Sequence, residues 1–411
     1  MNMLKLAFRN TRRQPRRTLL TALAIGITVA AVTYMDAHIK GITTGIFKTF
    51  VKLEAGHVKV VPREAVDRSR PLPLDKGIKD ITSLISVIRS SPGIINVSPR
   101  ISFPVLLDKG SNSIPAFGIG LLPSQEADLM NLEEMIVTGR LLSDSSWDVM
   151  LGNKLADKLD LDVGDELFMV TTDSYGGLGP GLYNVCGIVS SGVSYIDKRT
   201  FYVSLYAAQE QLSMVNSAME IVCSVENGLE GAIPVADSLS LLLQLADRDD
   251  VAPLPWQMQG SLYSALAPAK VMYFLIMLLL GIIALTTVVN TVLMSVMERT
   301  REIGALRALG FKRGTVISMI MSESLVIGFF ATICGIIFGM TVALILHETG
   351  IDLSGALEST EFPMKPIVYP DPSILTAVKA AFFGLILSLA AAWYPARVAV
   401  RMEPAQALRS E

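Results

Sequence analysis

The residues of this chain that are best arranged for chemistry lie in a charged segment, Met297–Arg313, between two long apolar runs. Ile303, Leu306 and Leu309 recur every three residues, and this spacing predicts a short helix with one apolar stripe beside a charged face. Such a helix packs its stripe on neighbouring helices and presents its charges to a partner. The residues expected to make that contact by ion pairing are Glu298, Arg299, Arg301, Glu302 and Arg307.

No sequence pattern predicts catalysis. The chain contains no Gly-Lys dipeptide, so a Walker A nucleotide loop is excluded. The three histidines, His38, His57 and His347, are scattered and lack the spacing of metal ligands. No Gly-x-Ser-x-Gly nucleophile motif occurs. We therefore expect a protein that is not an enzyme by itself and that binds no metal or cofactor.

The apolar runs on either side of the charged segment predict membrane helices. Val271–Val296 contains no charged residue, and Thr315–Leu346 contains only Glu323. A bilayer crossing needs about 20 apolar residues, so each run is long enough. Two more runs, 18–37 and 373–394, carry one charge each, Asp36 and Lys379. The sequence therefore predicts four membrane helices, one before and three after a large polar insert.

The predicted fold class is a membrane α-helical protein with a large α+β extracytoplasmic domain between helices one and two. The predicted segments are an amphipathic N-terminal segment at 1–17, spans at 18–37, 269–296, 315–346 and 373–394, the extracytoplasmic domain at 38–268, the charged link at 297–314, an outer loop at 347–372 and a tail at 395–411. We refer to 297–314 as the charged link.

Charge predicts how the chain is oriented in the membrane. Residues 1–17, 297–314 and 394–411 together carry 14 Lys/Arg and 4 Asp/Glu, whereas residues 37–268 carry 18 Lys/Arg and 27 Asp/Glu. Short basic loops stay cytoplasmic, and large domains translocate largely regardless of charge. We expect both termini and the charged link inside and residues 37–268 outside. The basic segments indicate contact with anionic membrane lipids rather than with nucleic acid.

The insert shows mixed strand and helix patterns. Alternating residues predict strands at His57–Val61, Tyr183–Val189 and Met219–Val225, and helical spacing predicts a helix at Asn153–Asp160. The glycine-rich tract Tyr175–Gly181 lacks the strand, loop, helix and lysine of a phosphate loop, and it predicts a hairpin tip. Cys186 and Cys223 fall on separate predicted strands. Their spacing does not decide whether they form a disulfide.

Glu323 is expected to find a polar partner, because an ionisable group inside a bilayer is costly. Counted from the inner helix ends at 1.5 Å per residue, Glu323 and Asn290 lie at depths of about 12 Å and about 10 Å. We predict that these two side chains pair between spans two and three. The alternative is that Glu323 faces a wet groove. Lys379 is expected to snorkel outward.

Several motifs resemble the FtsX-like ABC permeases, the family that contains LolC, LolE and MacB. Glu298–Gly310, with the sequence ERTREIGALRALG, is similar to the family's loop between spans two and three. The C-terminal Tyr394–Arg397 and Glu403–Arg409 are similar to its ending. Gly56–Val60 is similar to the lipoprotein-releasing LolC and LolE branch. Similarity to the external domain lies in Gly139–Leu142, Leu151–Ala156 and Val163–Asp165.

The resemblance implies a permease of the bacterial inner membrane. It implies pairing with a second permease, identical or related, and binding of the charged link to a cytoplasmic ABC ATPase dimer that uses ATP and Mg. Closure of that ATPase would be relayed through the spans to the external domains, a process called mechanotransmission. In the lipoprotein-releasing branch, this work releases lipoproteins from the outer leaflet.

Two other functions remain open under the same resemblance. One is efflux of the MacB type with a periplasmic adaptor, and the other is FtsX-type regulation of an external hydrolase. If acyl chains leave the outer leaflet between two permeases, the outer ends of spans one and two would form the access opening. An aromatic belt at the interface is the competing interpretation. The residues concerned are Tyr34, Met35, Tyr263, Met272, Tyr273 and Phe274.

Overall fold

The chain divides into two units in a computed structural model that describes residues 15–66, 72–109, 112–126, 129–259, 267–357 and 364–401. The membrane unit comprises Met1–Thr43, Leu266–Ile351 and Val368–Glu411, and the sheet unit comprises Thr44–Ala265 and Asp352–Ile367. Three sequence predictions lie outside the described residues: most of the amphipathic N-terminal segment, Tyr263 and the motif at 403–409.

The helices of the described residues include four that are long and apolar enough to cross a membrane, namely α1, α9, α11 and α13. The full set is α1 (Pro15–Phe50), α2 (Ile81–Arg89), α3 (Pro123–Glu126), α4 (Leu132–Met135), α5 (Asn153–Leu159), α6 (Ser194–Asp197), α7 (Leu205–Gln211), α8 (Gly228–Leu245), α9 (Ala267–Glu298), α10 (Thr300–Ala308), α11 (Arg313–Thr349), α12 (Ser354–Leu357) and α13 (Ile374–Arg401). The predicted membrane fold class, with its large mixed insert, is confirmed.

Helix α1 is longer than its apolar run. The run ends near Ala37, but the helix continues to Phe50 and is followed by a π-helical turn at Val51–Ala55. Its 36 residues correspond to about 54 Å at 1.5 Å per residue, more than the roughly 30 Å of a bilayer's hydrocarbon core. A single helix therefore leads from the membrane unit into the sheet unit.

Small residues set the packing of α1 against α11. A Cβ placed on Gly335 would lie 2.5 Å from the carbonyl oxygen of Gly26, and one on Gly339 would lie 2.6 Å from that of Ala30. Only glycine allows the two backbones to approach so closely, as is common between membrane helices. Helix α9 is the least buried of the four. In its most apolar stretch 11% is buried, compared with 28–33% in the other three helices. Span two thus has the largest surface left for lipid or a partner.

The sheet unit is built on one ten-stranded mixed sheet with the order β12-β1-β11-β3-β4-β9-β6-β8-β5, and β7 pairs with β3 and β8. Most neighbours are antiparallel, and β4 with β9 and β6 with β8 are parallel. The strands are β1 (Val58–Pro62), β2 (Ile78–Lys79), β3 (Ile94–Lys109), β4 (Asn112–Leu121), β5 (Ile136–Gly139), β6 (Asp148–Gly152), β7 (Glu166–Thr172), β8 (Leu178–Val189), β9 (Thr200–Ser204), β10 (Ser217–Ala218), β11 (Glu220–Val225), β12 (Val251–Pro255), β13 (Ile351–Asp352) and β14 (Ile367–Val368).

A completely buried ion pair lies in the sheet unit between β3 and α3. Arg100 donates from Nε and Nη2 to the two carboxylate oxygens of Glu126, both at 2.7 Å. The Ser98 hydroxyl donates to Glu126 at 2.7 Å, and Arg100 Nη1 donates to the Leu53 carbonyl at 3.4 Å. The side chains are 1% and 0% exposed. This fully paired arrangement fixes α3 and the turn after α1 against the sheet.

The glycine-rich tract joins β7 and β8, which form an antiparallel hairpin, as the sequence predicts. Its tip is closed by Asp173, whose carboxylate accepts the N–H groups of Tyr175 and Gly177 at 2.9 and 2.7 Å. Cys186 on β8 and Cys223 on β11 are both buried, and both thiols are free.

Candidate functional site

The charged link folds as α10, a nine-residue helix between the membrane helices α9 and α11. Helix α9 ends at Glu298, and Arg299 breaks the helical run before α10 begins. The C-terminal end is closed by Gly310 at φ 91°, a conformation that a side chain would strain. Arg307 Nη1 donates to the Phe311 carbonyl at 3.1 Å and fastens the same turn.

An apolar cluster holds α10 in place. Ile303 is buried among residues of all three later membrane helices, including Val296 of α9, Val316 of α11 and Ala396 of α13. The predicted stripe is only partly correct, because Leu306 is half-buried and Leu309 is 78% exposed. The helix ends before Leu309, so its side chain lies beyond the packed face. One residue, Ile303, therefore supplies most of the apolar attachment.

A polar group of three side chains, which we call the Arg299 cluster, supplies the rest. Arg299 Nη1 donates to Glu323 of α11 at 2.9 Å, and its Nε donates to Glu302 of α10 at 3.1 Å. Arg299 and Glu323 are 18% and 17% exposed. One guanidinium thus bridges the short helix to the long one.

A small cavity of about 50 Å³ borders this cluster. Hydroxyl groups of α1, α9 and α11 line it, and Arg299 and Glu323 form part of its wall; the hydroxyl residues are Thr18, Thr21, Thr291, Ser295 and Ser324. Apolar residues complete the lining, but a cavity of this size with several polar groups is large enough for water. Rearrangement of the ion pair is therefore less costly here than in a dry interior.

The predicted partner of Glu323 is wrong. Glu323 accepts from Arg299, whereas Asn290 lies on the exposed side of α9. Depth along a helix does not give the rotation of that helix about its axis, and the rotation decides which side chains meet. The long Arg299 side chain reaches Glu323 from the link instead.

The five predicted contact residues of the charged link separate into two groups. Glu298, Arg301 and Glu302 are exposed, although Glu302 also accepts a hydrogen bond from Arg299. Arg299 and Arg307 are half-buried and bond within the chain. The exposed charged face is therefore smaller than the sequence predicts.

A second polar group, the Asp36 cluster, joins three membrane helices. Asp36 of α1 accepts from Thr376 of α13 at 2.7 Å and from the Tyr273 hydroxyl of α9 at 3.2 Å. Lys379 of α13 approaches Asp36 at 3.4 Å while its side chain stays largely exposed. The sequence analysis did not predict this cluster. Asp36 and Lys379 are each the only charged residue of their apolar run and have opposite charges, and this could have indicated that they lie close together.

Of the predicted access residues that the structure describes, which do not include Tyr263, only two are exposed. Met272 and Phe274 are exposed on α9, whereas Tyr273 between them turns inward to Asp36. Tyr34 and Met35 on α1 are half-buried, and the Tyr34 ring stacks on His38 at 5.6 Å between centroids. Tyr273 therefore has a structural role within the bundle.

The sequence matches two family models that together cover most of the chain. A model described as the MacB-like periplasmic core domain matches residues 18–254, and one described as the FtsX-like permease C-terminal region matches residues 274–404. The first extends over α1 and the sheet unit to β12, and the second over α9 to α13. The first match therefore includes the first membrane helix as well as most of the sheet unit, and the second includes the three later membrane helices.

Individual relatives are similar over similar lengths. The lipoprotein-releasing system transmembrane protein LolC of Neisseria meningitidis serogroup B is 25% identical over 350 residues, 82% of this chain and 83% of that protein. LolE of Haemophilus influenzae is 24% identical over 375 residues, 85% and 86% of the two chains. The macrolide export ATP-binding/permease protein MacB of Pectobacterium atrosepticum is 24% identical over 429 residues, 99% of this chain and 60% of that protein. Since the periplasmic core model alone spans more than half of the chain, this protein belongs to the family of ABC transporter permeases of the LolC/LolE and MacB type, with a MacB-like periplasmic core and an FtsX-like C-terminal region.

Proposed function

We propose that this permease couples a cytoplasmic ABC ATPase dimer to motions of its sheet unit on the outer side of the inner membrane, and that the work releases lipoproteins from the outer leaflet. In this proposal ATP and Mg are bound by the ATPase, and both termini and α10 are cytoplasmic. A second permease, identical or related, completes the assembly. Only 11% of the most apolar stretch of α9 is buried within the chain, so this helix has a face on which such a partner can pack.

The observation that carries the proposal is the way α10 is seated. The helix is fixed by Ile303 and by Arg299 to α9, α11 and α13, while Glu298, Arg301 and Glu302 are exposed. A charged surface on a rigid base suits a contact that must transmit force. The alternative interpretation is that α10 is an interfacial helix that only sets the membrane topology. Such a helix would not require the hydrogen bond from Arg299 to Glu323 of α11.

Release of lipoproteins is supported by similarity to the LolC and LolE proteins over more than four-fifths of the chain. The test is purification of the intact complex in mild detergent, followed by identification of the bound molecules by mass spectrometry. We expect triacylated protein to be recovered. Recovery only of a soluble hydrolase would contradict lipoprotein release and favour regulation.

Efflux is the second candidate, supported by the match of 99% of this chain to a protein named for macrolide export. It predicts a periplasmic adaptor in the same purification, with no acylated protein. A variant discriminates further: Met272→Asp adds a charge to an exposed position of α9. If α9 lines the lipid route, this change should abolish acyl-protein recovery while expression and ATPase binding persist. Lys379→Glu is unsuitable as its control because it disturbs Asp36. Met294→Asp, the same substitution at another exposed position of α9, is the matched control.

A further inference from the structure

A cavity of about 210 Å³ in the sheet unit opens where helix α8 begins. Its wall includes His57, which precedes β1, Ser224 of β11, and Gly228 at the start of α8. The Nε2 atom of His57 lies 3.9 Å from where a Cβ on Gly228 would stand, so the imidazole adjoins the first turn of the helix. This cavity is separate from the Arg299 and Asp36 clusters, which belong to the membrane unit.

Two buried polar atoms of the wall have no hydrogen-bond partner among the described residues: the Ser224 hydroxyl and Nδ1 of His57. Ser224 is only 6% exposed. Leaving such a group unpaired costs about 1–3 kcal/mol, so buried polar atoms usually meet a ligand or an ordered water. The His57 backbone cannot shift easily, because its N–H donates to the Cys223 carbonyl at 2.9 Å and its carbonyl accepts from the Trp256 N–H at 3.0 Å.

The ionisable side chains that line the cavity, among the described residues, are of one type. Every ionisable side chain among its described lining residues is basic, namely Lys48, Lys52 and His57. Lys48 and Lys52 lie one helical turn apart, on the same side of the helix. Lys52 also lies 3.8 Å from Glu134, but both side chains are substantially exposed, so this pair is weak.

Helix α8 adds unfilled donors. Asn227 at its N-cap makes no side-chain capping hydrogen bond, so the first-turn N–H groups keep their donor capacity. Glu230 in that turn is exposed and does not line the cavity. A helix of 18 residues carries partial positive charge at this end, which favours an anion.

We propose that this cavity is a binding site for a phosphate group. The Ser224 hydroxyl, a His57 ring N–H and N–H groups at the start of α8 would donate to its oxygens, and Lys48 and Lys52 would balance its charge. The phosphate has two sources, a dissolved phosphate or the headgroup of a phospholipid. The proposed phosphate site is not the binding site of the transported substrate. The proposal therefore does not depend on which substrate the permease carries.

The experiment follows modification of His57 by diethyl pyrocarbonate in the full-length protein, purified in a detergent without phosphate. Burial lowers the pKa of His57, so the imidazole is neutral at pH 7, which is the form that reacts with this reagent. Peptide mass spectrometry reads His57 beside His38 and His347 as internal references. The probes are inorganic phosphate, chloride at equal ionic strength, and short-chain phosphatidylglycerol below its micellar concentration.

We expect phosphate or phosphatidylglycerol, but not chloride, to protect His57 selectively. Protection by phosphate alone assigns a dissolved anion, and protection by phosphatidylglycerol alone assigns a lipid headgroup. If both protect, the probe that acts at the lower concentration identifies the source. Failure of both probes to protect His57 would overturn the proposal, and the two buried atoms would then bind only water.

Substitutions of lining residues test whether the protection of His57 arises from binding in this cavity. Ser224→Ala and Lys48→Gln should each weaken protection by about tenfold, the scale of a charge-assisted hydrogen bond. Ser91→Ala is the matched control, since its hydroxyl is also buried and unpaired but does not line the cavity. Lys79→Gln removes the same charge elsewhere on the sheet unit. Lys48 is exposed, so its replacement tests the site even if Ser224→Ala folds poorly. Equal protection in Lys48→Gln and Lys79→Gln would contradict the site.

Discussion

An arginine–carboxylate pair in the sheet unit and another in the membrane unit differ in how firmly they are held. Arg100 and Glu126 in the sheet unit make two hydrogen bonds of 2.7 Å and are almost fully buried. Arg299 and Glu323 in the membrane unit make one of 2.9 Å, are partly exposed, and border a cavity that is lined in part by hydroxyl groups. The first pair also borders a cavity, of about 290 Å³ beside Arg100, but Ser98 and the Leu53 carbonyl bond to it as well, so both of its side chains are fully held. The second can exchange partners with Glu302 or water, which suits a part that moves.

The largest effect is expected from Arg100→Met. It leaves the Glu126 carboxylate buried without its cation, and breaking such a pair costs about 3–5 kcal/mol. Thermal unfolding and hydrogen exchange of β3 in the full-length protein would measure this. Arg100→Met combined with Glu126→Leu should recover much of the loss, because an apolar pair fills the same space. If Arg100→Met alone were as stable as the wild type, the ion pair would not be needed to hold α3 against the sheet.

Glu323→Gln should separate coupling from stability. The change removes the charge opposite Arg299 and retains the shape, so we expect at most about 1 kcal/mol of lost stability at this partly exposed pair. ATP-driven changes in the hydrogen exchange of the sheet unit should fall severalfold in the reconstituted complex. Glu348→Gln, at the other end of α11, is the control. Unchanged exchange in Glu323→Gln would remove the Arg299 cluster from the transmission route.

Replacement of Asp36 tests the other polar cluster of the membrane unit. Asp36→Asn keeps an acceptor for Thr376 and Tyr273 and loses the attraction to Lys379, so we expect a cost of about 0.2–1 kcal/mol. Asp36→Ala should cost more, because two hydroxyl groups then lack their acceptor. Thermal unfolding compares both with Asp371→Asn, which loses only an exposed pair with Lys40. Equal midpoints for all three would mean that the Asp36 cluster adds no stability.

The smallest effect concerns the two buried thiols of the sheet unit. Burial raises the pKa of Cys186 to about 11 and that of Cys223 to about 12, so both stay protonated and unreactive at pH 8. Iodoacetamide should label neither in the native protein and both after unfolding in urea. Reactivity should rise only as the pH approaches the raised pKa values. A peptide pair linked by a disulfide would contradict the free thiols seen in the structure.

Hydropathy and charge were sufficient to predict the four membrane helices and the helical charged link, because long uncharged runs have few other uses. They could not give the partner of Glu323, which depends on the rotation of each helix and on the reach of Arg299. Local alternation likewise located β1 and β11 but not their pairing, since Val58 and Cys223 are far apart in sequence. The burial of Arg100 could not be predicted for the same reason, because its partner Glu126 is brought to it only when the sheet forms.

We propose that the outward charges of α10 bind the ATPase and that Arg299 links this contact to the membrane helices. The most direct measurement is ATP-driven hydrogen exchange of the sheet unit in complexes that carry Arg301→Glu, Glu302→Lys or both, with Glu348→Lys as the matched control. We predict that the variants insert normally, that ATP is still hydrolysed, and that the exchange response of the sheet unit is lost. A wild-type response in the double variant would contradict the account and leave α10 as a lipid contact.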